Sequence, residues 1–184
     1  MLEMSPASKN ALEVRRKARR AWSLLHLDTT RSVLLADQAL AAASGDPSAA
    51  AWARLTLGFQ RLYFATPLEA AAELQQAQDM FEALGDRSGF LLAGTGLARA
   101  LWREGRFRES LARVLSLRDE ALRVLRPAQR GLLLNTIAGC YSALGRSDQA
   151  FAYLYEALRE ARPRRSQGFD TVLHWPARCT FLDF

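Results

Sequence analysis

A 40-residue period runs through this chain and limits its fold more than any single motif does. Ala65, Gly105 and Gly145 stand 40 residues apart, each at the break between two stretches of apolar periodicity. Seven residues before each break is a small residue, Gly58, Ala98 or Ala138, preceded in turn by Leu57, Leu97 or Ile137. After the breaks come Ala70, Ser110 and Ala150, then Leu74, Val114 and Leu154, then Ala77, Leu117 and Ala157. Gly45-Asp46 recurs as Gly85-Asp86. Columns that agree in size and polarity mark a repeat whose single unit cannot bury its apolar face alone.

The spacing within each unit is helical. Two antiparallel helices approach closely where facing side chains are small, with large apolar residues one turn away filling the flanks. A Gly at the break supplies the left-handed conformation that ends the first helix. Helix pairs are therefore expected at 9–26 with 29–44, 49–64 with 67–84, 88–104 with 107–124, and 128–144 with 148–162. Residues 1–8 are expected to be disordered, and 167–184 to form an incomplete fifth pair. Pro67 suits a first-turn position, and Asp46-Pro47-Ser48 and Arg126-Pro127 read as helix stops followed by new starts. The first pair is the divergent one, its best match lying at an offset of about 38 residues, as terminal repeats allow.

Composition supports this reading. Of 184 residues 49% are hydrophobic, enough for a sizeable core, and Ala and Leu are abundant while Gly and Pro are sparse. Met1–Leu27 has a basic stretch but no apolar segment with a small-residue cleavage site, no stretch is long enough to span a membrane, and Cys140 and Cys179 are too few for a disulfide framework. A cytoplasmic protein is expected. The formal charge of +6 raises nucleic acid as a partner, yet 23 of the 25 basic residues are Arg, the usage of a GC-rich bacterial genome, and most alternate with acids along helices. Two basic clusters stand apart from that pattern, Arg15-Arg16-Lys17 with Arg19-Arg20, and Arg162 with Arg164-Arg165.

Residues Leu134 to Ala157 resemble the tetratricopeptide repeat (TPR) family. Ile137, Ala138 and Tyr141 occupy its first-helix positions, Gly145 its turn, and Ala150, Leu154 and Ala157 its second-helix positions. Leu97, Ala98, Leu101, Gly105, Phe107, Ser110 and Val114 match nearly as well. Around Leu57 and Gly58 the pattern departs, with Arg61 where an aromatic or Leu is usual and Pro67 in place of the turn aromatic. The resemblance covers about 50–162, with a period longer than the usual 34 residues, as in tetratricopeptide regions of large bacterial signalling proteins. A HEAT-like array, whose period is also near 40, is the structural rival; the Gly turns and Ala columns favour the tetratricopeptide reading. The resemblance implies an all-α, right-handed superhelical array of antiparallel helix pairs (an α-solenoid), about four pairs plus a C-terminal half repeat.

In that family the first helices of the pairs line a groove for a peptide or partner helix. The resemblance carries this role to Trp52, Leu55, Phe59 and Tyr63, then Thr95, Arg99, Trp102 and Arg103, then Asn135 with Gly139 and Ser142. Aromatics with Arg suit an acidic or amphipathic helical protein partner. A shift of one position would instead turn Trp52 and Phe59 into the core, and Asn135 equally suits a hydrogen bond between helices. The Lys and Asn set with which one subtype grips a C-terminal carboxylate is absent.

No catalytic constellation stands out. Walker-type, G-x-G-x-x-G, H-E-x-x-H and C-x-x-C patterns are absent, and Gly94-Thr95-Gly96 reads as close helix packing. His26 and His174 are the only histidines, and His174, Cys179 and Asp183 are too loosely spaced for a ligand motif. Cys140 reads as a small buried hydrophobe. No enzyme activity, metal or cofactor is expected. Phe169, Val172, Leu173 and Trp175 have helical spacing, but Pro176 interrupts it, and Phe169–Phe184 is an apolar segment suited to homo-oligomer formation. Whole-chain texture also resembles the tetratricopeptide regions ahead of diguanylate cyclase domains, without their Gly-Gly-Asp/Glu-Glu-Phe signature. The expected function is a protein-binding or sensory regulatory module; the alternatives are a nucleic-acid-linked transcriptional regulator and a self-assembling structural protein.

Overall fold

Eight helices follow one another along the chain in a computed structural model that describes residues 6–161. They are α1 (Pro6–Leu24), α2 (Thr29–Ala42), α3 (Pro47–Phe64), α4 (Pro67–Ala83), α5 (Arg87–Arg103), α6 (Phe107–Val124), α7 (Pro127–Ala143) and α8 (Ser147–Ala161). Among the described residues there is no strand, and no helix is long and apolar enough to cross a membrane. Residues 1–5 and 162–184 lie outside the described part, and with them the Arg162–Arg165 cluster, the His174, Cys179 and Asp183 set, and Phe169–Phe184.

Two kinds of junction separate the helices. Gly45, Gly85, Gly105 and Gly145 all adopt positive φ, between 67° and 86°, and close α2, α4, α5 and α7. At the other kind a proline opens the next helix. Thr66 (ψ 147°) and Arg126 (ψ 155°) are held extended by the prolines after them, so α3 and α6 end there while Pro67 and Pro127 start α4 and α7. Side chains complete the starts: Asp28, Asp46 and Thr66 accept from the backbone N–H of Arg31, Ala49 and Glu69.

The chain forms two compact units, divided after Ala100 inside α5. In the first, α4 inserts Leu74 between two glycines. A methyl group placed on Gly58 of α3 would lie 2.7 Å from Leu74 Cγ, and one on Gly96 of α5 would lie 2.9 Å from Leu74 Cδ1 and 2.9 Å from Phe59 Cε2. Leu74 is fully buried there with Phe59, Phe81, Leu91 and Leu92. Arg61, unusual at its place in the pattern, reaches from α3 to Glu73 of α4 (2.7 Å), and Arg54 binds the other oxygen of the same carboxylate (2.8 Å). Across the second unit, Ser110 of α6 meets Cys140 of α7 at 3.1 Å, both buried, and Arg130 of α7 pairs with Glu160 of α8 (3.4 Å). Tyr141 and Tyr153 stack between α7 and α8 at 5.6 Å.

The close approach at Leu74 leads to a contrast between glycines. Gly96→Ala overpacks a full core and is expected to cost about 1–3 kcal/mol in urea unfolding. Gly131, inside α7, has open space around it. Gly131→Ala is expected to be neutral or to stabilise by up to about 1 kcal/mol through helix propensity. Equal effects at the two sites would contradict the packing described.

Candidate functional site

The face of α3 expected to line a groove is covered in the first unit by α1. Trp22 of α1 packs edge-on against Trp52 (6.3 Å) and Phe59 (5.1 Å), and the guanidinium of Arg19 sits 3.9 Å from the centre of a Trp52 ring. On its other side Trp52 meets Phe81 of α4 at 5.2 Å. Trp52, Leu55, Phe59 and Thr95 are buried. Thr95 spends its hydroxyl on the Leu91 carbonyl one turn back (2.8 Å). These four are core residues of the first unit.

Two aspartates hold α1 in place. Asp46 Oδ1 accepts the Ala49 N–H that starts α3, and its Oδ2 accepts Arg15 Nε at 2.6 Å. One period later Asp86 Oδ1 accepts the Gly89 N–H of α5, while its Oδ2 accepts Trp52 Nε1 (3.2 Å) and Arg19 Nη2 (3.4 Å). Each carboxylate thus caps a helix start, where negative charge is favoured, and takes an arginine four residues further along α1. Arg15 and Arg19, half of the first basic cluster's arginines, therefore have intramolecular acidic partners.

What stays at the surface is a row near the C-terminal ends of α1, α3 and α5. The imidazole of His26, just past α1, meets the Tyr63 ring edge-on at 5.5 Å, and the Arg99 guanidinium lies 6.0 Å from the centre of that ring. Phe64, largely exposed, continues the row 6.3 Å from Tyr63. Arg99 has no carboxylate partner among the described residues. Burial against its neighbours, and secondarily the Arg99 charge, push the His26 pKa down to about 4. His26 nevertheless keeps more than a third of its surface open to water. His26 and Phe64 escaped the sequence reading because they stand 37 and 35 residues from Tyr63 and Arg99, off the 40-residue period.

In the second unit, Trp102 lies over the backbone of α7 and donates from Nε1 to the Gly139 carbonyl (3.1 Å). The missing side chain of Gly139 makes that approach possible, since a methyl there would already touch the indole at 3.7 Å. One turn earlier on the same face is Asn135, only 6% exposed, whose Oδ1 has no hydrogen-bond partner among the described residues. Leaving a buried acceptor unpaired costs about 1–3 kcal/mol, which a ligand's N–H would return. Arg103 and Ser142 are exposed. Among the described residues no three His, Cys, Asp or Glu side chains are grouped so as to hold a metal ion.

Comparison with known proteins gives no match to a protein family, to a curated protein or to a solved structure.

Because the folded pKa of His26 is depressed below the ordinary 6.5, its contribution to stability is full above pH 6.5 and is lost as pH falls toward about 4. Proton NMR titration is expected to give His26 a pKa well under 6.5, and Arg99→Gln to raise it only in part, burial being the larger cause. An unshifted His26 in the wild type would remove it from the row.

Proposed function

We propose that this chain is a protein-binding module built as a tetratricopeptide-like array, an adaptor or sensor in a regulatory pathway of the bacterial signalling kind. Its helix pairs continue as a right-handed solenoid, and the exposed residues of successive first helices receive an extended or helical segment of a partner. The observation that carries this reading is the buried Oδ1 of Asn135, unpaired among the described residues, one turn before the Gly139 carbonyl to which the Trp102 indole is anchored. An amide oxygen at that place accepts a backbone N–H without selecting a side chain, which suits peptide recognition. The His26, Tyr63 and Arg99 row adds an aromatic surface carrying the Arg99 cation, which has no carboxylate partner among the described residues, so the favoured partner segment is acidic. Asp46 and Asp86 take up Arg15 and Arg19, which weakens the first basic cluster as a phosphate-binding patch.

Asn135→Leu separates binding from folding. Removing an unpaired buried amide while keeping its branched shape is expected to leave the melting temperature unchanged or raise it. The same variant is expected to lose retention of the partner in a pull-down from source lysate by about tenfold, the equivalent of one lost hydrogen bond of about 1.4 kcal/mol. Tyr63→Ala with Arg99→Ala, checked for intact helicity, is expected to lose it as well. A lowered melting temperature with unchanged retention would make Asn135 a structural residue and overturn the reading. Retention that vanishes on nuclease treatment and falls steeply with salt would replace it with nucleic-acid binding.

A further inference from the structure

Two turns of the second unit share one backbone and differ in charge. Gly105 and Gly145 both adopt positive φ (78° and 73°), and the arginine after each donates its backbone N–H to the carbonyl five residues back, Arg106 to Leu101 (3.0 Å) and Arg146 to Tyr141 (2.9 Å). Arg106 is neutralised where it stands, its guanidinium binding Glu104 at 3.1 Å and Glu109 at 2.6 Å. One period later those two acids are replaced by Leu144 and Gln149. Arg146 is exposed and makes no ion pair among the described residues, not even with Asp148 two positions on.

Leu144 and Arg146 line a cavity of about 340 Å³ whose other walls come from α6: Arg108, Leu111, Ala112 and Leu115. Arg108 is likewise exposed and makes no ion pair among the described residues. Two guanidinium groups without a counter-charge therefore stand beside four apolar side chains, and no hydroxyl, amide or carboxylate side chain lines the cavity with them. An adjoining cavity of about 300 Å³ shares Arg108 and Leu144 but is also lined by Arg106 with Glu109, a pair whose charges already balance.

We propose that the cavity between α6 and the turn from α7 to α8 binds a small amphiphilic anion, one carboxylate on an apolar body. Arg108 and Arg146 take its charge, and Leu111, Leu115 and Leu144 cover its hydrocarbon. Guanidinium groups suit a carboxylate in both charge and donor geometry. A sugar or nucleotide would find no side-chain partner for its hydroxyls among the apolar walls, and burying them unpaired is costly. A volume of about 340 Å³ holds about eleven non-hydrogen atoms at about 30 Å³ each, which fits a carboxylate of about eight carbons. The site shares no residue with the Tyr63 row or with Asn135, so it stands whether or not those receive a peptide.

The test titrates the full chain with octanoate, acetate and octylammonium while NMR follows the backbone amides of 105–115 and 144–149. Octanoate is expected to shift them saturably and to bind about tenfold or more tighter than acetate, its chain being buried, and octylammonium to leave them unmoved. Arg108→Gln and Arg146→Gln, both at exposed positions, are each expected to weaken octanoate about tenfold at an unchanged melting temperature. Leu144→Glu with Gln149→Glu gives Arg146 the two acids that Arg106 has, and is expected to abolish binding with helicity intact by circular dichroism. No saturable shift with octanoate, equal affinity for acetate, or binding that Arg146→Gln leaves unchanged would overturn the proposal. So would a concentration-dependent dimer, seen by light scattering, that Arg146→Gln dissolves, since a second copy would then occupy the cavity.

Discussion

The packing of the first unit depends on one side chain held between two bare stretches of backbone. Leu74 projects from α4 into a space whose walls are Gly58 of α3 and Gly96 of α5, and neither wall has room for a methyl group. A close-packed interior transmits such a constraint, because a helix that cannot move outward fixes the position of everything stacked on it. Phe59 is held against Gly96, Trp52 lies against Phe81, and Trp22 then finds the edges of both Trp52 and Phe59. The aromatic core follows from the glycines. Most of the burial energy resides in the large rings, while the small residues determine where the rings can stand.

Charge completes what shape begins, and it does so at the helix starts. Asp46 and Asp86 each satisfy an N–H that a helix leaves unpaired, and each has a second oxygen left for an arginine of α1. The first pair, least regular in its spacing, is in this way registered against the regular pairs through the same Gly-Asp dipeptide that marks the period. Both arginines are about half exposed (56% and 55%), so these pairs contribute little energy one by one. Their role is positional: they select which face of α1 turns toward α3.

That selection explains what the sequence could and could not reveal. Helix boundaries were readable to within about three residues because Gly and Pro sit at the breaks and act through backbone geometry alone, which needs no knowledge of neighbours. The small columns were readable for the same reason. The surface was not. Whether Trp52 and Phe59 face a groove or the core depends on whether another helix lies over them, and the helix that does, α1, belongs to the pair whose period is irregular. Arg61 looked like a flaw in the repeat because the pattern describes one column at a time, whereas Glu73, which accepts it, lies in another.

Among the residues expected to line a groove, Arg99 and Asn135 differ from Trp52, Phe59 and Thr95 for a physical reason. Trp52, Phe59 and Thr95 have every polar atom and ring face engaged by their own chain. Among the described residues Asn135 keeps an acceptor unpaired inside a well-packed helix pair, and Arg99 has no carboxylate partner beside an imidazole that it discourages from charging. In a chain whose turns, caps and core agree so closely, local conflicts of this kind mark the positions where the sequence serves something other than folding. An anionic segment laid along the Tyr63 row would ease the second conflict by pairing Arg99, and an N–H presented at Asn135 would end the first.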